Sequence, residues 1–375
     1  MSNTTTNFPI EIPDGMQTET KVHYSDSSDM KKVQDESVQL VVTSPPYPMI
    51  DMWDDQFGEQ NSEISVALDR EDGQEAFDLM HRELRKTWEE CHRVLQEGGI
   101  ACINIGDATR KIGGDFQLFP NHTRITRDFV DLGFAQLPGI LWRKPTNSAA
   151  KFMGAGMLGL NAYVTLEHEH ILVFRKGGKR KATGDEADRR RESAYFWEER
   201  NSWFSDVWTD LKGVRQSMNG KYKELRERSG AFPLELPLRL IEMYSVYEDT
   251  VFDPFWGTGT TSVAAAISGR NSVGYEIERQ FGKVYEKRIS KAPTLSQRRN
   301  SDRLESHVRF VEKRKSNGKT LNYKNNFYGF GVTAKQEKDI KLYDVSSVEK
   351  SGAVISFDYE PHLMQTSIFA GASSD

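Results

Sequence analysis

Short, mainly apolar runs that end in turn residues are the feature that most limits how this chain can fold. Such runs occupy residues 38–42, 100–105, 139–142, 171–174, 250–252 and 271–276. Between the first two, apolar residues recur at three-to-four spacing over 76–96, which is typical of an amphipathic helix. Strands that are apolar throughout and alternate with helices are buried on both faces. The chain therefore predicts an α/β fold, with a mainly parallel sheet covered by helices on both faces.

Length and composition narrow the class of protein further. The chain has 375 residues, so one elaborated domain or two to three lobes are expected. Its 37% hydrophobic and 28% charged residues exclude a disordered or fibrous chain. No apolar run approaches the roughly 20 residues of a membrane-spanning helix, and residues 2–14 lack a secretory pattern. The two cysteines, Cys91 and Cys102, are too few for a disulfide scaffold. We therefore expect a cytoplasmic protein.

Charge is distributed unevenly along the chain. The net charge of −5 argues weakly against a nucleic-acid partner. However, residues 51–75 carry nine acidic residues against one arginine, whereas 175–191 and 298–324 are basic. A polarised surface of this kind can dock DNA, although charge runs are more often solvated faces.

A glycine-rich loop at 251–261 predicts a ligand site. A strand, a Gly-x-Gly turn at Gly257 and Gly259, and a small-residue helix follow one another, so bare backbone amides can face a ligand. The Lys of a phosphate-binding loop is missing, and Ser262 stands where a dinucleotide fingerprint needs its third glycine. Glu276 follows Gly257 at about the distance expected for a carboxylate that accepts ribose hydroxyls. The alternative is a tight turn without a ligand.

A second loop, Thr43-Ser44-Pro45-Pro46-Tyr47-Pro48, is stiff and rich in hydrogen-bond acceptors. Proline lacks an amide hydrogen and holds the preceding residue extended, so carbonyl oxygens remain unpaired. The Ser44 hydroxyl and the Pro45 carbonyl can accept the hydrogens of an exocyclic amine, and Tyr47 offers a ring on which a base can stack. These groups suit an enzyme that modifies a base flipped out of a duplex. The alternative is a turn that merely ends a strand.

Taken together, the two loops resemble one family, the amino-methylating DNA methyltransferases that use S-adenosylmethionine. Ser-Pro-Pro-Tyr at 44–47 resembles the catalytic motif, and Asp-Pro-Phe-x-Gly-x-Gly-Thr-Thr at 253–261 resembles the cofactor motif. The segments 95–107, 142–145 and 232–241 also match. The catalytic motif comes first, as in the permuted β group. The resemblance covers roughly residues 21–290 and implies a Rossmann-like methyltransferase fold with circularly permuted motifs.

The resemblance also bears on the base that is methylated. Ser-Pro-Pro-Tyr is similar to the motif of cytosine-N4 enzymes, whereas adenine-N6 enzymes of the group usually carry Asp at the first position. Methylation of cytosine at carbon 5 is excluded, because it needs a nucleophilic cysteine after a proline, and neither Cys91 nor Cys102 follows one. An adenine-N6 enzyme and a non-catalytic nucleic-acid-binding module are the alternatives.

The resemblance assigns roles to individual residues. The expected catalytic residues are Ser44, Pro45, Pro46 and Tyr47. The expected cofactor-binding residues are Asp26, Phe232, Asp253, Phe255, Gly257, Gly259, Thr260 and Glu276. Asp107 is a further candidate, with a plain turn as the alternative. No metal site is predicted, because His168 and His170 have no identifiable third ligand.

The predicted target-recognition region lies between the two groups of motifs. The residues expected to contact DNA are Lys179, Arg180, Lys181, Arg189, Arg190 and Arg191. We expect most of the aromatic residues between 195 and 208 to form a small core. Residues 147–163 are expected to form a loop over the substrate, and 142–147 resembles enzymes that modify CTAG.

The predicted organisation has five parts. They are an N-terminal tail (1–20), a catalytic half (21–174), the target-recognition region (175–229), a cofactor-binding half (230–293) and a C-terminal extension (294–375). The extension is expected to be a small appendage with strands, and a DNA clamp, a dimer contact and a structural cap are its alternative roles. The expected cofactor is S-adenosylmethionine and the expected partner is double-stranded DNA. A restriction endonuclease partner and a homodimer are left open.

Overall fold

Five parallel strands form the centre of a ten-stranded sheet in the computed structural model, which describes residues 15–144, 153–213 and 232–364. In sheet order they are β3 (Leu95–Ile105), β2 (Val38–Thr43), β11 (Thr250–Asp253), β12 (Asn271–Tyr275) and β1 (Gln17–His23). Because β2 and β3 are buried almost throughout, the apolar runs of the sequence mark the interior of the sheet.

The outer strands make the sheet mixed. On one side follow the antiparallel β9 (His168–Lys176), then β6 (Phe134–Arg143) and β10 (Val207–Trp208). On the other side, β16 (Val354–Pro361) runs antiparallel to β1 and pairs with β15 (Tyr343–Ser351). The strands of the C-terminal extension thus join the central sheet and add two strands to its width.

Helices cover both faces, as the sequence predicts. One face carries α1 (Asp54–Gln60), α2 (Ser62–Asp69), α3 (Gly73–Val94) and α4 (Asn121–Asp131). The other carries α7 (Glu235–Tyr244), α8 (Thr260–Ile267), α9 (Phe281–Ile289) and α10 (Ala292–Ser316). Val41 packs into the first of these two cores, whereas its neighbours Leu40 and Val42 pack into the second. This alternation is the expected consequence of a strand buried on both faces.

Smaller elements decorate this α/β core. They are the hairpin β4 (Ala108–Ile112) and β5 (Asp115–Phe119), the hairpin β7 (Met153–Gly154) and β8 (Ala162–Tyr163), the helices α5 (Asp185–Glu192) and α6 (Trp197–Trp203), the pair β13 (Tyr323–Lys324) and β14 (Gly331–Val332), and 3-10 turns at Asp51–Trp53 and Lys335–Asp339. Phe196, Trp203 and Trp208 are buried, whereas Trp197 and Phe204 are exposed. Phe196 packs with Leu304 and Phe330, and Trp208 packs into the second core, so the aromatic residues between 195 and 208 do not form the separate small core that the sequence predicts. Within the described ranges, no helix is long and apolar enough to cross a membrane.

The sheet brings together the two loops that the sequence singles out. Val41 pairs with Phe252 in the parallel register of β2 and β11, so the Pro-Pro loop and the glycine-rich loop leave the sheet side by side at its carboxyl edge. Ligands in open α/β sheets bind at this edge, where adjacent loops separate.

Candidate active site

A cavity of about 490 Å³ opens at the carboxyl edge of β2 and β11. All of the predicted catalytic and cofactor-binding residues except Gly259 line it. The acidic segment near residue 55 also lines the cavity, through Trp53, Asp55 and Glu59 among others. The acidic run is therefore part of the cavity wall and not only a solvated face.

Asp253 joins the two loops at the floor of the cavity. Its Oδ1 accepts hydrogen bonds from the Thr43 hydroxyl at 2.6 Å and from the Phe255 amide at 3.1 Å, and its Oδ2 accepts from the Thr261 hydroxyl at 2.7 Å. Burial raises the pKa of Asp253 to about 6. The carboxylate thus acts as a structural link between the strand ends, which its position in the sequence motif alone does not reveal.

Glu276 fixes the glycine-rich loop from the neighbouring strand. Its Oε2 accepts the Gly257 amide at 2.7 Å, and its Oε1 accepts the Glu278 amide at 2.8 Å. Gly257 has a φ of 53°, in the left-handed region that glycine adopts freely. Burial raises the pKa of Glu276 to about 7. The carboxylate therefore borders the cavity and shapes the loop at the same time.

Gly259 contributes to packing and does not line the cavity. Its φ is 71°, and a Cβ atom there would lie 2.4 Å from the Tyr285 ring and 2.8 Å from the Trp256 ring. The adjoining loop is held from below, because Arg288 donates to the Thr258 carbonyl and to the Thr260 hydroxyl, both at 2.9 Å. Sequence reasoning missed Trp256, Tyr285 and Arg288, because the tertiary contacts that support a loop produce no recognisable pattern in the sequence.

The Tyr47 hydroxyl lies at the centre of a hydrogen-bond network beside the Pro-Pro loop. It accepts from the Ser44 hydroxyl at 3.1 Å and from the Asn104 amide at 2.9 Å, and it donates to Oε2 of Glu169 at 3.0 Å. Asn104 also donates to Glu169 at 2.7 Å, and Lys144 forms an ion pair with the same carboxylate. Burial and the Glu169 charge both raise the pKa of Tyr47, so its hydroxyl remains protonated.

This network adds residues to the predicted site. Glu169 and Lys144 line the cavity, and Asn104 supports them from the end of β3. Asn104 was detectable as the one amide in the apolar run 100–105. The His168-Glu169-His170 triplet was weighed for its histidines, whereas the residue that enters the site is the glutamate between them.

Gly106 explains why the Tyr47 ring can lie where it does. A Cβ atom at Gly106 would come within 2.9 Å of the ring. The ring is half-buried and forms part of the cavity wall. The Tyr47 side chain is thus held at both its edge and its hydroxyl, which orients it before any ligand arrives.

The remaining predicted cofactor residues border the cavity from several elements. Asp26 lies exposed after β1, where its carboxylate accepts the Ser28 amide at 2.7 Å and the Gln60 amide at 3.4 Å. Phe232 and Phe255 present half-buried rings to the same space. The cavity therefore combines aromatic faces with carboxylates.

The basic residues predicted to contact DNA do not lie at the cavity. Both oxygens of Asp249 accept from Arg180 at 2.7 Å, and Arg189 pairs with Glu248 at 3.2 Å. These acids directly precede β11, so they lie at its amino end, opposite the cavity. Lys179, Lys181, Arg190 and Arg191 are exposed along the same segment. The structure therefore places these six residues away from the cavity, and two of the arginines stabilise the far edge. Their contact with DNA stays a prediction.

Parts of three further predictions lie outside the described residues. These parts are 147–152 of the expected substrate loop, with 145–147 of the CTAG resemblance, and 214–229 of the target-recognition region.

A cluster of Asp107, His122 and His170 lies next to the cavity but is not built as a metal site. His122 Nδ1 lies 2.8 Å from both Asp107 oxygens, whereas His170 Nε2 lies 4.0 Å from Oδ2. The two imidazole rings stack at 4.0 Å with an interplanar angle of 13°. Lone pairs in nearly parallel planes do not converge on one ion. Burial lowers the pKa of His170 to about 4, so this histidine is neutral.

Comparison with known proteins gives a consistent set of similarities. The model of the family described as DNA methylase (N6_N4_Mtase) matches residues 38–287. Type II methyltransferase M.MthZI of Methanothermobacter thermautotrophicus is 53% identical over 330 residues, which is 88% of this chain and 91% of that protein. Type II methyltransferase M.MjaI of Methanocaldococcus jannaschii is 48% identical over 283 residues, covering 72% of this chain and 91% of the relative.

A solved structure also resembles the chain. The putative DNA modification methylase TTHA0409 from Thermus thermophilus, crystallised with S-adenosyl-L-methionine, is 30% identical with a TM-score of 0.56. The match covers 72% of this chain and 93% of that one.

Proposed function

Because this chain belongs to the DNA methylase family whose model spans residues 38–287, we propose that it methylates the N4 amino group of a cytosine in duplex DNA. The observation that carries the proposal is the joining of the Ser-Pro-Pro-Tyr loop and the glycine-rich loop at one cavity, through the bond from Thr43 to Asp253. A methyl donor and an acceptor amine can meet only where the two loops meet.

The cavity fits S-adenosylmethionine, the ligand of the similar Thermus structure. Within the described ranges, Asp253 and Glu276 accept hydrogen bonds and form no ion pair with a cation, and burial raises the pKa of each. Buried carboxylates of this kind favour a ligand that brings positive charge and hydroxyl donors. When bound, S-adenosylmethionine would supply a sulfonium methyl group for transfer to the amine nitrogen, with the sulfur released as a neutral thioether and the amine proton released to water.

Different residues of the cavity bind different parts of this cofactor. Glu276, at the end of β12, accepts the ribose hydroxyls, and Gly257 leaves room for the ligand beside the loop backbone. Phe232 and Phe255 border the space with apolar rings, and Asp26 contributes an acceptor near the adenine. Asp253 keeps the two loops in register below the ligand.

At the other end of the cavity, the Pro-Pro loop orients the amine. The Ser44 hydroxyl and the Pro45 carbonyl accept its two hydrogens, which turns the nitrogen lone pair towards the methyl group. The Tyr47 ring stacks on the base. Glu169 is a positioning residue, because it accepts from the Tyr47 hydroxyl and is itself held by Lys144 and Asn104. Such preorganisation lowers the barrier without a covalent intermediate.

The choice of base rests on Ser44 and on the cysteines. A serine at this position is similar to cytosine-N4 enzymes, whereas adenine-N6 enzymes of the group usually carry Asp. Cys91 and Cys102 are both fully buried, and burial raises the pKa of each thiol. A thiolate attack on carbon 6 of cytosine, which carbon-5 methylation needs, is therefore unsupported.

The names of the relatives support a biological setting. Both M.MthZI and M.MjaI are named Type II methyltransferases. We propose that this chain acts on a short duplex site in the cytoplasm and protects it from a cognate restriction endonuclease. CTAG is the first sequence to examine.

The test is to incubate the purified chain with DNA and radiolabelled S-adenosylmethionine, hydrolyse the DNA and identify the labelled nucleoside. N4-methylcytosine supports the proposal. N6-methyladenine contradicts the choice of base and keeps the enzyme class. No transfer and no saturable cofactor binding would favour a non-catalytic binding module. Sequencing of methylated positions in expressing cells then gives the recognition site.

A further inference from the structure

The hairpin formed by β7 and β8 presents large apolar side chains to water. Met157 is 87% exposed, Leu158 is 73% exposed and Leu160 is 87% exposed. We refer to these three residues as the tip. Single exposed apolar residues are common, but three within four positions form a concentrated apolar surface.

The tip is held in place by its own backbone and by a ring contact. The Ala155 amide donates to the Asn161 carbonyl at 2.8 Å, and the Leu158 amide donates to the Ala155 carbonyl at 3.2 Å. Tyr163, at the base of the hairpin, stacks on Phe116 with ring centroids 4.6 Å apart. The apolar side chains are therefore displayed by an ordered turn.

Leu160 lies in a backbone conformation that its side chain disfavours. Its φ is 63°, in the left-handed region where glycine or asparagine is usual. Neither burial nor backbone preference accounts for a leucine at an exposed left-handed position. A function that needs an apolar side chain at this point does account for it.

The hairpin is joined to the elements of the cavity wall by two connections. It directly precedes β9, and Glu169 of that strand lines the cavity. Between the hairpin and β9, the Glu167 carbonyl accepts a hydrogen bond from the amide of Lys144, another cavity residue, at 2.7 Å. Phe116, against which the β7–β8 hairpin packs, belongs to the β4–β5 hairpin. Arg110 of this second hairpin binds both oxygens of Asp54 in α1, at 2.9 and 2.7 Å, and α1 forms the cavity wall.

We propose that the tip inserts into duplex DNA beside the target base pair and holds the base out of the stack. This inference rests on the proposed function, because only an enzyme that acts on a duplex must open it. Removing a base from the helix exposes the apolar faces of its neighbours, and inserted Leu or Met side chains cover such faces. Exposed Lys111, in register with Phe116, adds a cation for the nearby phosphates.

The experiment uses the duplex site mapped in expressing cells, with 2-aminopurine next to the target cytosine. Fluorescence of this base rises when stacking is lost. The full-length chain is compared with a variant carrying Met157→Ser, Leu158→Ser and Leu160→Ser. We expect the variant to lose most of the fluorescence rise and to methylate the duplex at least about tenfold more slowly. Leu363→Ser is the matched control. Leu363 is a leucine with 65% exposure that follows the end of β16, away from the hairpin.

A second duplex separates insertion from a general loss of binding. Its target cytosine faces an abasic site, so the base leaves the stack at lower cost. We expect the variant to methylate this duplex at nearly the parent rate. Equal losses on both duplexes, or a parent-like fluorescence rise, would overturn the proposal.

The other outcomes are also informative. Light scattering that shows a parent dimer and a monomeric variant would assign the tip to a contact between copies of the chain, and so overturn the proposal. Failure to map any methylated site would overturn the proposed function, and the role of the tip with it. A mapped site together with an unaffected variant overturns the role of the tip alone.

Discussion

The hydroxyl of Thr43 donates to Oδ1 of Asp253 at 2.6 Å, although the two residues are 210 positions apart in the sequence. Both are buried, and each ends a central strand. The bond thus fixes the spacing between the strand that leads to the Pro-Pro loop and the strand that leads to the glycine-rich loop. Methyl transfer depends on that spacing, because the reacting atoms must lie in line.

Replacing this carboxylate is expected to weaken both the fold and the site. Asp253→Ala leaves the Thr43 hydroxyl and the Phe255 amide without their acceptor, and leaves the Thr261 hydroxyl only the Val42 carbonyl at 3.3 Å. The cost is about 1–3 kcal/mol for each buried donor that stays unpaired. Urea unfolding and calorimetric titration with S-adenosylmethionine measure the two effects. Asp253→Asn keeps an acceptor and should be the milder variant. Equal stability of the alanine variant and the parent would contradict the linking role.

Cofactor affinity should depend on pH through Glu276. Burial raises its pKa to about 7, above the ordinary value of 4.5, so the folded carboxyl is partly protonated at neutral pH. Ribose hydroxyls donate to the ionised form, and affinity should therefore rise with pH, by about tenfold between pH 6 and pH 8. Glu276→Gln should bind more weakly and lose this dependence. A parent affinity that stays constant over the range would contradict the assignment.

The raised pKa of Glu276 also affects the free energy of unfolding. A carboxyl with a raised pKa binds more protons in the folded state than in the unfolded state between pH 4.5 and 7. Its contribution to the free energy of unfolding is present below pH 4.5 and is lost as the pH rises through 7. Denaturant unfolding at several pH values should show a shallower decline for Glu276→Gln than for the parent.

The two glycines of the cofactor loop should respond differently to substitution. A Cβ atom at Gly257 meets only the Phe255 carbonyl, at 3.9 Å, so Gly257→Ala should cost about 1–2 kcal/mol for the left-handed backbone and mainly weaken cofactor binding. Gly259→Ala adds a clash with Tyr285 and should be the more destabilising. Thermal unfolding and cofactor titration of both variants test this order. Equal stabilities would contradict the packing role of Gly259.

The fold was predictable because it follows from local patterns. Runs such as 38–42 and 250–252 are mainly apolar, and only a sheet covered on both faces buries both sides of a strand. The cavity residues were predictable because Ser-Pro-Pro-Tyr and the Gly-x-Gly turn have restricted backbones. Because each motif directly follows a central strand, its residues were expected at the carboxyl edge of the sheet.

Other features could not be predicted because tertiary contacts decide them. The basic residues around Arg180 had the composition of a DNA-binding segment, but the acids that bind Arg180 and Arg189 lie about 60 to 70 positions further on. Asp249 and Glu248 draw that segment to the amino edge of the sheet. In the same way, the role of Glu169 in the site depends on its contacts with Tyr47, Asn104 and Lys144, which come from three other parts of the chain.

Glu169 should affect methyl transfer and leave cofactor binding intact. Glu169→Gln weakens the attraction of Lys144 and the hydrogen bond from Tyr47, so the ring that orients the base becomes less fixed. We expect single-turnover transfer to fall by about 10- to 100-fold. Glu167→Gln, two residues away in the exposed pair with Arg143, is the matched control. A parallel loss of cofactor affinity would contradict the positioning role.

The basic segment at the far edge should stabilise the fold and not bind DNA. Arg180→Gln breaks a bidentate pair with Asp249, a carboxylate that is 6% exposed, so unfolding should become easier by at least about 1 kcal/mol. Arg190→Gln alters an exposed residue of α5 and should leave stability unchanged. DNA affinity of both variants, measured by fluorescence anisotropy over a range of salt concentrations, should match the parent, because the segment lies opposite the cavity. A lower affinity with a smaller salt dependence for Arg190→Gln would mean that the segment does contact phosphates, and would restore the DNA-binding role that the sequence predicts.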